Sequence, residues 1–146
     1  MANRDLSSAE WLRKAQTYCA AAEHCKAEVM EKFRQWSTPE ALIPSLIEQL
    51  YAQSFLDDDR YCRAFVHDKV LYQGWGRRKI EAALRQRNLP AAAISQGFAA
   101  LSDDEYRDVL RRIIQKKKGA TYEQMARFLL QRGFSYDDFR EELSSR

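Results

Sequence analysis

The fold is decided by a stretch of the chain that occurs three times, most clearly as Ile80-Glu81-Ala82-Ala83-Leu84-Arg85-Gln86-Arg87-Asn88-Leu89-Pro90. A similar stretch, VMEKFRQWSTP, occupies residues 29–39, and a fainter one, MARFLLQRGFS, occupies residues 125–135. The copies lie about 45 to 51 residues apart, a spacing at which each copy is one supersecondary unit. Apolar residues keep the same register in the copies: Val29, Ile80 and Met125; Phe33, Leu84 and Leu129; Ile43, Ile94 and Phe139. Such units bury their apolar faces against each other, so the repeat predicts an elongated array with a long surface suited to binding.

The composition is that of a globular protein with a length of about one domain. The chain has 146 residues, of which 45% are hydrophobic and 31% are charged, so it is neither a disordered nor a membrane chain. No apolar run approaches the roughly 18 residues of a membrane-spanning helix. Residues 1–7 carry no apolar segment after their charges, which argues against a secretory signal and predicts a cytoplasmic protein.

The sequence pattern is helical almost throughout. Glycine and proline are scarce, at 5 and 3 residues, and strictly alternating apolar runs are missing. The clearest helical stripe has three-four spacing and consists of Tyr106, Val109, Leu110, Ile113 and Ile114. We predict nine helices, three in each repeat, at residues 7–23, 26–36, 39–53, 57–73, 76–88, 90–101, 102–117, 121–132 and 135–144. The predicted fold is all-α, a tandem array of three three-helix repeats at 1–54, 55–101 and 102–146, elongated and curved.

Explicit signals mark where several of these helices begin and end. Three capping boxes are predicted, in which a hydroxyl residue and the residue three positions later cap each other's backbone: Ser7 with Glu10, Ser102 with Glu105, and Thr121 with Gln124. Pro39 and Pro90 are predicted at first helical positions, where a missing N–H has no helical partner to lose. Gly119 and Gly133 stand where a left-handed C-terminal cap is expected.

An aspartate run, Asp57-Asp58-Asp59, resembles a metal or acid–base site. It aligns with residues 102–104, Ser-Asp-Asp, of the third repeat. Acidic residues in a first helical turn cap backbone N–H groups and complement the helix dipole, whereas a metal site would need further ligands that converge from elsewhere. We therefore interpret the run as helix capping and predict no metal and no cofactor.

The cysteines and histidines show no catalytic or zinc-binding pattern. No Cys-x-x-Cys pair occurs among Cys19, Cys25 and Cys62, and their odd number argues against a disulfide framework, so they are predicted to be small buried residues. His24 and His67 are the only histidines, and they lack zinc-site spacing. Without a Gly-x-Ser-x-Gly elbow or a similar motif, no catalytic residue is predicted, and the chain is expected not to be an enzyme.

Gly74-Trp75-Gly76 precedes two arginines but does not form a phosphate-binding loop. It lacks the Gly-x-x-x-x-Gly-Lys form and a preceding strand. Two interpretations of Trp75 stay open. The segment is either an exposed basic corner that carries an aromatic ring, or a helix-ending turn in which Trp75 packs on the neighbouring helix.

Clustered basic residues are the best candidates for a binding surface, although the formal net charge is only +3. Residues 77–79, Arg-Arg-Lys, begin a predicted helix, where positive charge opposes the helix dipole, so an acidic partner or a phosphate would explain them. Residues 116–118 are three lysines that end a helix, where the dipole favours cations in any case. Arg127 and Arg132 belong to the same clusters. The predicted partner- and DNA-binding face comprises Arg77, Arg78, Lys79, Arg85, Arg87, Arg111, Arg112, Lys116, Lys117 and Lys118.

The second repeat carries two distinctive segments, FLDDDRYCRAFV at residues 55–66 and Gly74-x-Gly76-Arg77-Arg78-Lys79-Ile80, which leads on to Leu84 and Leu89. These segments resemble the Leu-Asp-Asp-x-x-Phe-Ala pattern and the glycine, basic run and isoleucine of the RecX family of regulatory proteins. Asn88 stands where that family often has glycine, and asparagine also tolerates a left-handed conformation. Residues 15–18 and 29–33 fit the family as well, so the resemblance spans nearly the whole chain.

This resemblance implies a function as well as a fold. RecX-like proteins are arrays of three-helix repeats that bind along the groove of the RecA–DNA filament and modulate RecA in recombination and the DNA-damage response. The chain is therefore expected to modulate RecA ATPase, strand exchange and coprotease activity, with inhibition as the leading expectation and stimulation as the less common alternative. It is also expected to be a monomer. Its expected partners are the filament and single- or double-stranded DNA, with no membrane. The apolar residues of the family motif are expected to be structural: Leu56, Tyr61, Phe65, Ile80 and Leu84.

Two other classes of function stay open. Three short helices with a basic final pair also resemble a helix-turn-helix unit that reads DNA directly, with residues 85–88, Arg-Gln-Arg-Asn, as the first candidates for base contacts. An enzyme would require a pocket that brings His67 beside an aspartate and a nucleophile. Tight, sequence-specific binding to naked DNA would favour the helix-turn-helix unit, and weak, sequence-independent binding would favour the filament regulator.

Overall fold

The chain forms nine α-helices within residues 6–144, the part that the computed structural model describes. The first repeat contains α1 (Ser8–Ala21), α2 (Lys26–Gln35) and α3 (Ile43–Ala52), with a 3-10 turn at Glu40–Leu42 before α3. The second contains α4 (Asp58–Leu71), α5 (Arg77–Gln86) and α6 (Ala91–Ala99). The third contains α7 (Asp103–Lys116), α8 (Tyr122–Gln131) and α9 (Tyr136–Ser144). No strand occurs in the described range, and the prediction of an all-α fold with three helices per repeat is confirmed.

The predicted capping interactions are confirmed. In each box a hydroxyl accepts the N–H three residues later at 3.1–3.2 Å, and the later side chain accepts in return: Ser7 with Glu10, Ser102 with Glu105, and Thr121 with Gln124. Asp57 caps α4, because its Oδ1 accepts the Arg60 N–H at 3.0 Å. Two further caps were not predicted: the Cys25 N–H donates to Glu28 at 3.0 Å, and Ser135 and Asp138 cap each other at the start of α9.

The predicted helical positions of two prolines are wrong by one residue. Pro39 and Pro90 occupy the cap position, before the first helical residue, because ψ values of 127° and 149° keep their backbone extended. Pro39 also precedes the 3-10 turn rather than α3. Pro44 is the proline that lies in the first turn of a helix, at the start of α3, where its missing N–H loses no helical hydrogen bond.

The apolar register of the repeat is confirmed at all but one position. Residues at its first two positions are at most 1% exposed: Val29, Ile80, Met125, Phe33, Leu84 and Leu129. Ile94 and Phe139 are buried as well. The equivalence of Ile43 with this pair is wrong, because the 3-10 turn delays the start of α3 and leaves Ile43 only partly buried. Leu46, three residues later, is fully buried in its place.

The second and third helices of every repeat are joined by the same left-handed turn. Its left-handed residues are Ser37, Asn88 and Gly133, with φ of 59°, 62° and 99°. The N–H that follows donates to a carbonyl five residues earlier at 2.9–3.1 Å: Thr38 to Phe33, Leu89 to Leu84, and Phe134 to Leu129. This is the Schellman motif of helix ends. It explains why the same stretch recurs and why asparagine can replace glycine there.

The apolar side chains form two cores rather than three. Repeat 1 has a core of its own around Trp11 and Phe33. Repeats 2 and 3 share one continuous core, to which Ile80 and Met125 both belong and which Cys25 of repeat 1 also joins. Helices α4 and α7 pack against each other across the boundary between these repeats. Repeats 2 and 3 are therefore one packed unit, and the separation of 1–54, 55–101 and 102–146 into three domains stays a prediction, as does the curvature.

Repeats 2 and 3 meet at a backbone contact between Gly76 and Gly133. The Gly76 N–H donates to the Arg132 carbonyl at 2.7 Å, and the Arg78 N–H donates to the Gly133 carbonyl at 3.0 Å. A Cβ atom on Gly76 would lie 2.3 Å from both the Gly133 carbonyl carbon and the Phe134 nitrogen. Any side chain at Gly76 would therefore force the two backbones apart.

Replacing Gly76 by alanine is expected to destabilise the protein by about 2–3 kcal/mol, because the new methyl group overpacks this backbone contact. Urea unfolding measures the change. Gly119→Ala is the matched control: φ is +103° there, but nothing lies within 4 Å of an added Cβ, so only about 1 kcal/mol of backbone strain is expected. Equal losses in the two variants would contradict the close packing of the repeats.

The three cysteines are free thiols buried in the core, as predicted. Burial raises the pKa of the Cys19 thiol to about 11 and the pKa of the Cys62 thiol to about 11. It also raises the pKa of Cys25. The folded state therefore keeps these thiols protonated at pH values where an unfolded chain would ionise them.

Stability is expected to fall as pH rises from about 8.5 to about 11. An unfolded thiol ionises near pH 8.5, whereas Cys19 and Cys62 stay protonated up to about pH 11 in the folded protein. Their contribution is thus complete below the lower value and is lost through this window. Urea unfolding midpoints measured across this pH range give the slope of stability against pH. The Cys19→Ala/Cys62→Ala variant should show a shallower slope below about pH 10, and an unchanged slope would refute the assignment.

Candidate nucleic-acid interface

The basic run at 77–79 begins α5 at the junction of repeats 2 and 3. The Gly76 and Arg78 N–H groups donate to carbonyls at the C-terminal end of α8, and the Arg77 N–H donates to the Tyr106 hydroxyl at 3.0 Å. The carbonyl end of α8 carries partial negative charge, which offsets the unfavourable placement of cations at a helix N-terminus. The run therefore has an explanation within the chain, and the helix dipole alone does not require a bound phosphate at this position.

Arg77 is engaged inside the chain. Its guanidinium pairs with Asp103 at 3.1 Å and lies 4.3 Å from the ring centroid of Tyr106. The Tyr106 hydroxyl in turn donates to Asp138 at 3.1 Å, and burial raises the pKa of this tyrosine. Arg77 thus links α5 to α7, which is a structural use of a residue predicted to bind a partner.

The structure favours the packing interpretation of Trp75. Its ring is partly buried and meets Phe65 edge to face, with ring centroids 6.4 Å apart. Two lysine Nζ atoms lie over the same ring, Lys79 at 4.3 Å and Lys69 at 4.9 Å from its centroid. The predicted site residue Lys79 therefore contributes to a cation–π contact within repeat 2.

Arg85 and Arg87 of α5 also have partners within the chain. Arg85 pairs with Glu81 at 3.1 Å, one helical turn earlier. The Arg87 guanidinium lies 5.1 Å from the Phe65 ring centroid and 3.9 Å from Glu28 of repeat 1. Arg87 thus lies at the boundary between repeats 1 and 2.

Arg111 is tied to α9 by an acidic residue. It contacts Glu142 at 3.3 Å and Asp108 at 3.5 Å. The hydrogen bond with Glu142 raises the pKa of Arg111. Arg107 joins the same carboxylate at 3.6 Å, so this cluster holds α7 against α9 rather than presenting free charge.

The remaining cations of the predicted face have fewer contacts with other side chains of the described chain. Lys117 lies over the Phe128 ring, with its Nζ atom 4.1 Å from the centroid. The others are exposed, and no acidic side chain in the described part of the chain pairs with them: Arg78, Arg112, Lys116 and Lys118. Among the cations of the predicted face, these four keep a charge that no acidic side chain of residues 6–144 neutralises.

A cleft lies where the end of α4 meets α7 and α8, and its volume is about 280 Å³. We call it the basic cleft and define it by its cations and aromatic rings: Tyr72, Arg112, Lys116, Lys117, Phe128 and Arg132. No aspartate or glutamate among residues 6–144 lines it. The structure thus brings together Arg112, Lys116 and Lys117, while the other predicted basic residues lie elsewhere.

Sequence reasoning missed the aromatic part of this cleft. Tyr72 is 75% exposed, and the signal that could have found it is its place in a helix-ending turn just before Gly74. Phe128 lies outside the apolar register that the repeats share, and only the folded chain places it in one cleft with Lys116 and Lys117. Arg132 follows α8, and its Nη1 atom donates to the Gln73 carbonyl at 3.1 Å.

Candidate catalytic and metal-binding residues do not come together in the described chain. Nowhere in residues 6–144 do three His, Cys, Asp or Glu side chains form a possible metal site. Asp58 accepts a hydrogen bond from Tyr51 at 2.8 Å. His67 lies beside Tyr72, with ring centroids 6.2 Å apart, and His24 stacks on Tyr18 at 3.9 Å.

None of the helices between residues 6 and 144 is long and apolar enough to span a membrane.

Comparisons with known proteins identify the family. A regulatory protein RecX from Leptothrix cholodnii is 30% identical over 135 residues, which cover 89% of this chain and 85% of that relative. The chain belongs to the RecX family. A regulatory protein RecX from Ectopseudomonas mendocina is 31% identical over 132 residues, which cover 86% of this chain and 87% of that protein. The family model described as the second three-helix domain of RecX matches residues 57–97, from the cap of α4 into α6.

Crystal structures of RecX proteins share the fold of this chain. The RecX structure from Lactobacillus salivarius superimposes with a TM-score of 0.79 at 17% identity, covering 94% of this chain and 95% of the other. A second RecX structure gives a TM-score of 0.74 at 16% identity, covering 91% and 73%. The predicted RecX-like array of three-helix repeats is therefore confirmed.

Arg77 and Arg78 provide a direct test of which cations are structural. Arg77→Ala is expected to destabilise the protein by about 1 kcal/mol, because it removes an exposed ion pair and a cation–π contact. Arg78→Ala removes the same charge one residue away and should change stability by no more than about 0.5 kcal/mol. Urea unfolding of both variants measures the difference. A loss of the same size in each would show that Arg77 has no structural role.

Proposed function

We propose that this RecX-family chain binds the filament that the RecA recombinase forms on DNA and inhibits RecA ATP hydrolysis, strand exchange and coprotease activity in recombination and the DNA-damage response. Membership of a family of regulatory proteins supports the regulatory role. The observation that carries the contact with the filament is that four exposed cations of the predicted face have no acidic partner among residues 6–144: Arg78, Arg112, Lys116 and Lys118.

The packing of repeats 2 and 3 supports a binding surface that extends over both. Their common core and the Gly76–Gly133 contact keep the start of α5 and the end of α7 in one unit. Because the helices that carry these cations belong to one packed unit, the two repeats need no rearrangement to meet a regular row of phosphates. Because phosphate contacts release counterions, binding of this kind weakens steeply as salt rises.

The alternative of direct base readout by a helix-turn-helix unit has less support. The third helix of repeat 2, α6, has the sequence AAAISQGFA and carries no cation. Arg85 and Arg87, the first candidates for base contacts, have acidic neighbours in Glu81 and Glu28. DNA contact in this proposal is therefore to phosphates and is independent of base sequence. The proposal further takes the chain to act as a monomer in the cytoplasm, without a cofactor.

RecA ATPase on single-stranded DNA, titrated with this protein, tests the proposal. The wild type is expected to lower the ATPase rate at stoichiometric ratios, and less so as salt rises. The Arg78→Ala/Lys118→Ala variant should need about five-fold more protein for the same inhibition, because two lost phosphate contacts together remove about 1 kcal/mol. Neither side chain has an acidic partner in the described chain, so folding should be unaffected.

The matched control is Arg13→Ala/Lys26→Ala, which removes the same charge from exposed positions of repeat 1. It should inhibit like the wild type. If the wild type leaves RecA ATPase and strand exchange unchanged, the regulatory function is wrong. If the two double variants are equally potent, the assignment of the surface to repeats 2 and 3 is wrong.

A further inference from the structure

We propose that the basic cleft binds one unpaired nucleotide of a single-stranded nucleic acid, with the base stacked on Tyr72 and the phosphate held by Arg112, Lys116 and Arg132. This inference rests on the proposed function, in which the chain contacts DNA. It adds the form of DNA that is recognised and the residues that select it.

The cleft concentrates positive charge that its own walls do not neutralise. Arg112 and Lys116 lie one helical turn apart on α7 and are both exposed. Arg112 donates only to the backbone carbonyl of Asp108, at 3.4 Å. The Arg132 guanidinium is fixed from two sides, by the Gln73 carbonyl at 3.1 Å and by the Phe128 ring, whose centroid lies 5.1 Å away. Like charges gathered without an acidic neighbour repel each other, so a bound anion would stabilise the cleft.

Tyr72 gives the cleft a stacking surface. With 75% of its area exposed, it is more exposed than any other large apolar residue between residues 6 and 144. The turn that carries it is well fixed, because the Tyr72 N–H donates to Asp68 at 2.9 Å and the Trp75 N–H donates to Lys69 at 2.8 Å. Aromatic side chains beside a groove of cations are the usual means by which proteins hold single strands, since every base offers a flat face.

The dimensions and chemistry of the cleft select an unpaired nucleotide. Its volume of about 280 Å³ is near the lower end of small-ligand pockets. A duplex keeps its bases stacked and paired and would present only phosphates, which leaves Tyr72 without a partner. An acidic peptide would satisfy the cations but offers no ring for the tyrosine. A phosphate that is joined to an unstacked base satisfies both parts of the cleft.

Fluorescence anisotropy with a labelled oligothymidylate tests the inference on the full-length protein. Tyr72→Ala should weaken binding by about 10-fold, within the range measured for loss of one base–aromatic stack, while Tyr72→Phe should retain binding. Lys116→Ala should weaken binding and reduce the salt dependence, log Kd against log salt, by about 0.7. Tyr136→Ala, which removes an exposed ring of α9 outside the cleft, is the control and should bind like the wild type. Thermal melting confirms that each variant is folded.

Three competitors separate the single strand from other anions. A duplex of the same length should bind Tyr72→Ala and the wild type equally. Thymidine monophosphate and an oligoglutamate should displace the strand only weakly. The inference is overturned if Tyr72→Ala and Tyr136→Ala behave alike, if duplex binding shows the same dependence on Tyr72, or if the free nucleotide or the peptide binds as tightly as the strand.

Measuring RecA ATPase with the same variants keeps the two proposals apart. If binding of the oligonucleotide depends on Tyr72 but the wild type leaves RecA unaffected, nucleotide binding by the basic cleft is supported and the regulatory function is wrong. If the wild type inhibits RecA while oligonucleotide binding is insensitive to Tyr72, the regulatory function stands and the cleft fails.

Discussion

The backbone contact between Gly76 and Gly133 determines how repeats 2 and 3 are arranged against each other. It sets the carbonyl end of α8 against the start of α5, where the Gly76 and Arg78 N–H groups donate to the carbonyls of residues 132 and 133 and the Arg77 N–H donates to the Tyr106 hydroxyl. The approach is too close for a Cβ atom on Gly76. Around it, repeats 2 and 3 close over a single core, and the end of α4 comes to lie beside α7 and α8 to form the basic cleft. The basic cleft and the shared core of repeats 2 and 3 therefore depend on the same backbone contact.

Charge serves two purposes in this chain. Arg77 and Arg111 link helices through ion pairs, the first with Asp103 and the second with Glu142. Arg112 and Lys116 on the same helix as Arg111 have no such partners in the described chain and face the cleft. Adjacent positions on a helix point about 100° apart, which explains how neighbouring arginines come to have different roles. Within residues 6–144, cations that link helices and cations without an acidic partner therefore occur side by side on α7.

Much of the fold could be predicted because it is encoded locally. Capping boxes, the Schellman turn at Asn88 and the buried register of Ile80 and Leu84 all depend on residues within one or two turns. The predictions that were wrong or incomplete also have physical reasons. Ile43 is displaced from the core by a 3-10 turn that the apolar pattern does not reveal. The roles of Arg77 and Arg111 depend on acidic residues 26 and 31 positions away along the chain, and no local pattern reports such distances.

Periodicity, caps and family motifs are properties of short segments, so the amino-acid sequence is enough to predict a helical array of three similar units and a member of the RecX family. It also identified the cations from which a binding surface could be made. Which of these cations lack a partner follows from the packing of the helices, because it depends on whether a carboxylate from another helix lies within reach. Only the packing of α4 beside α7 and α8 brought Tyr72 to Lys116 and Arg132, because these residues are far apart in the chain and meet solely through the shared core of repeats 2 and 3.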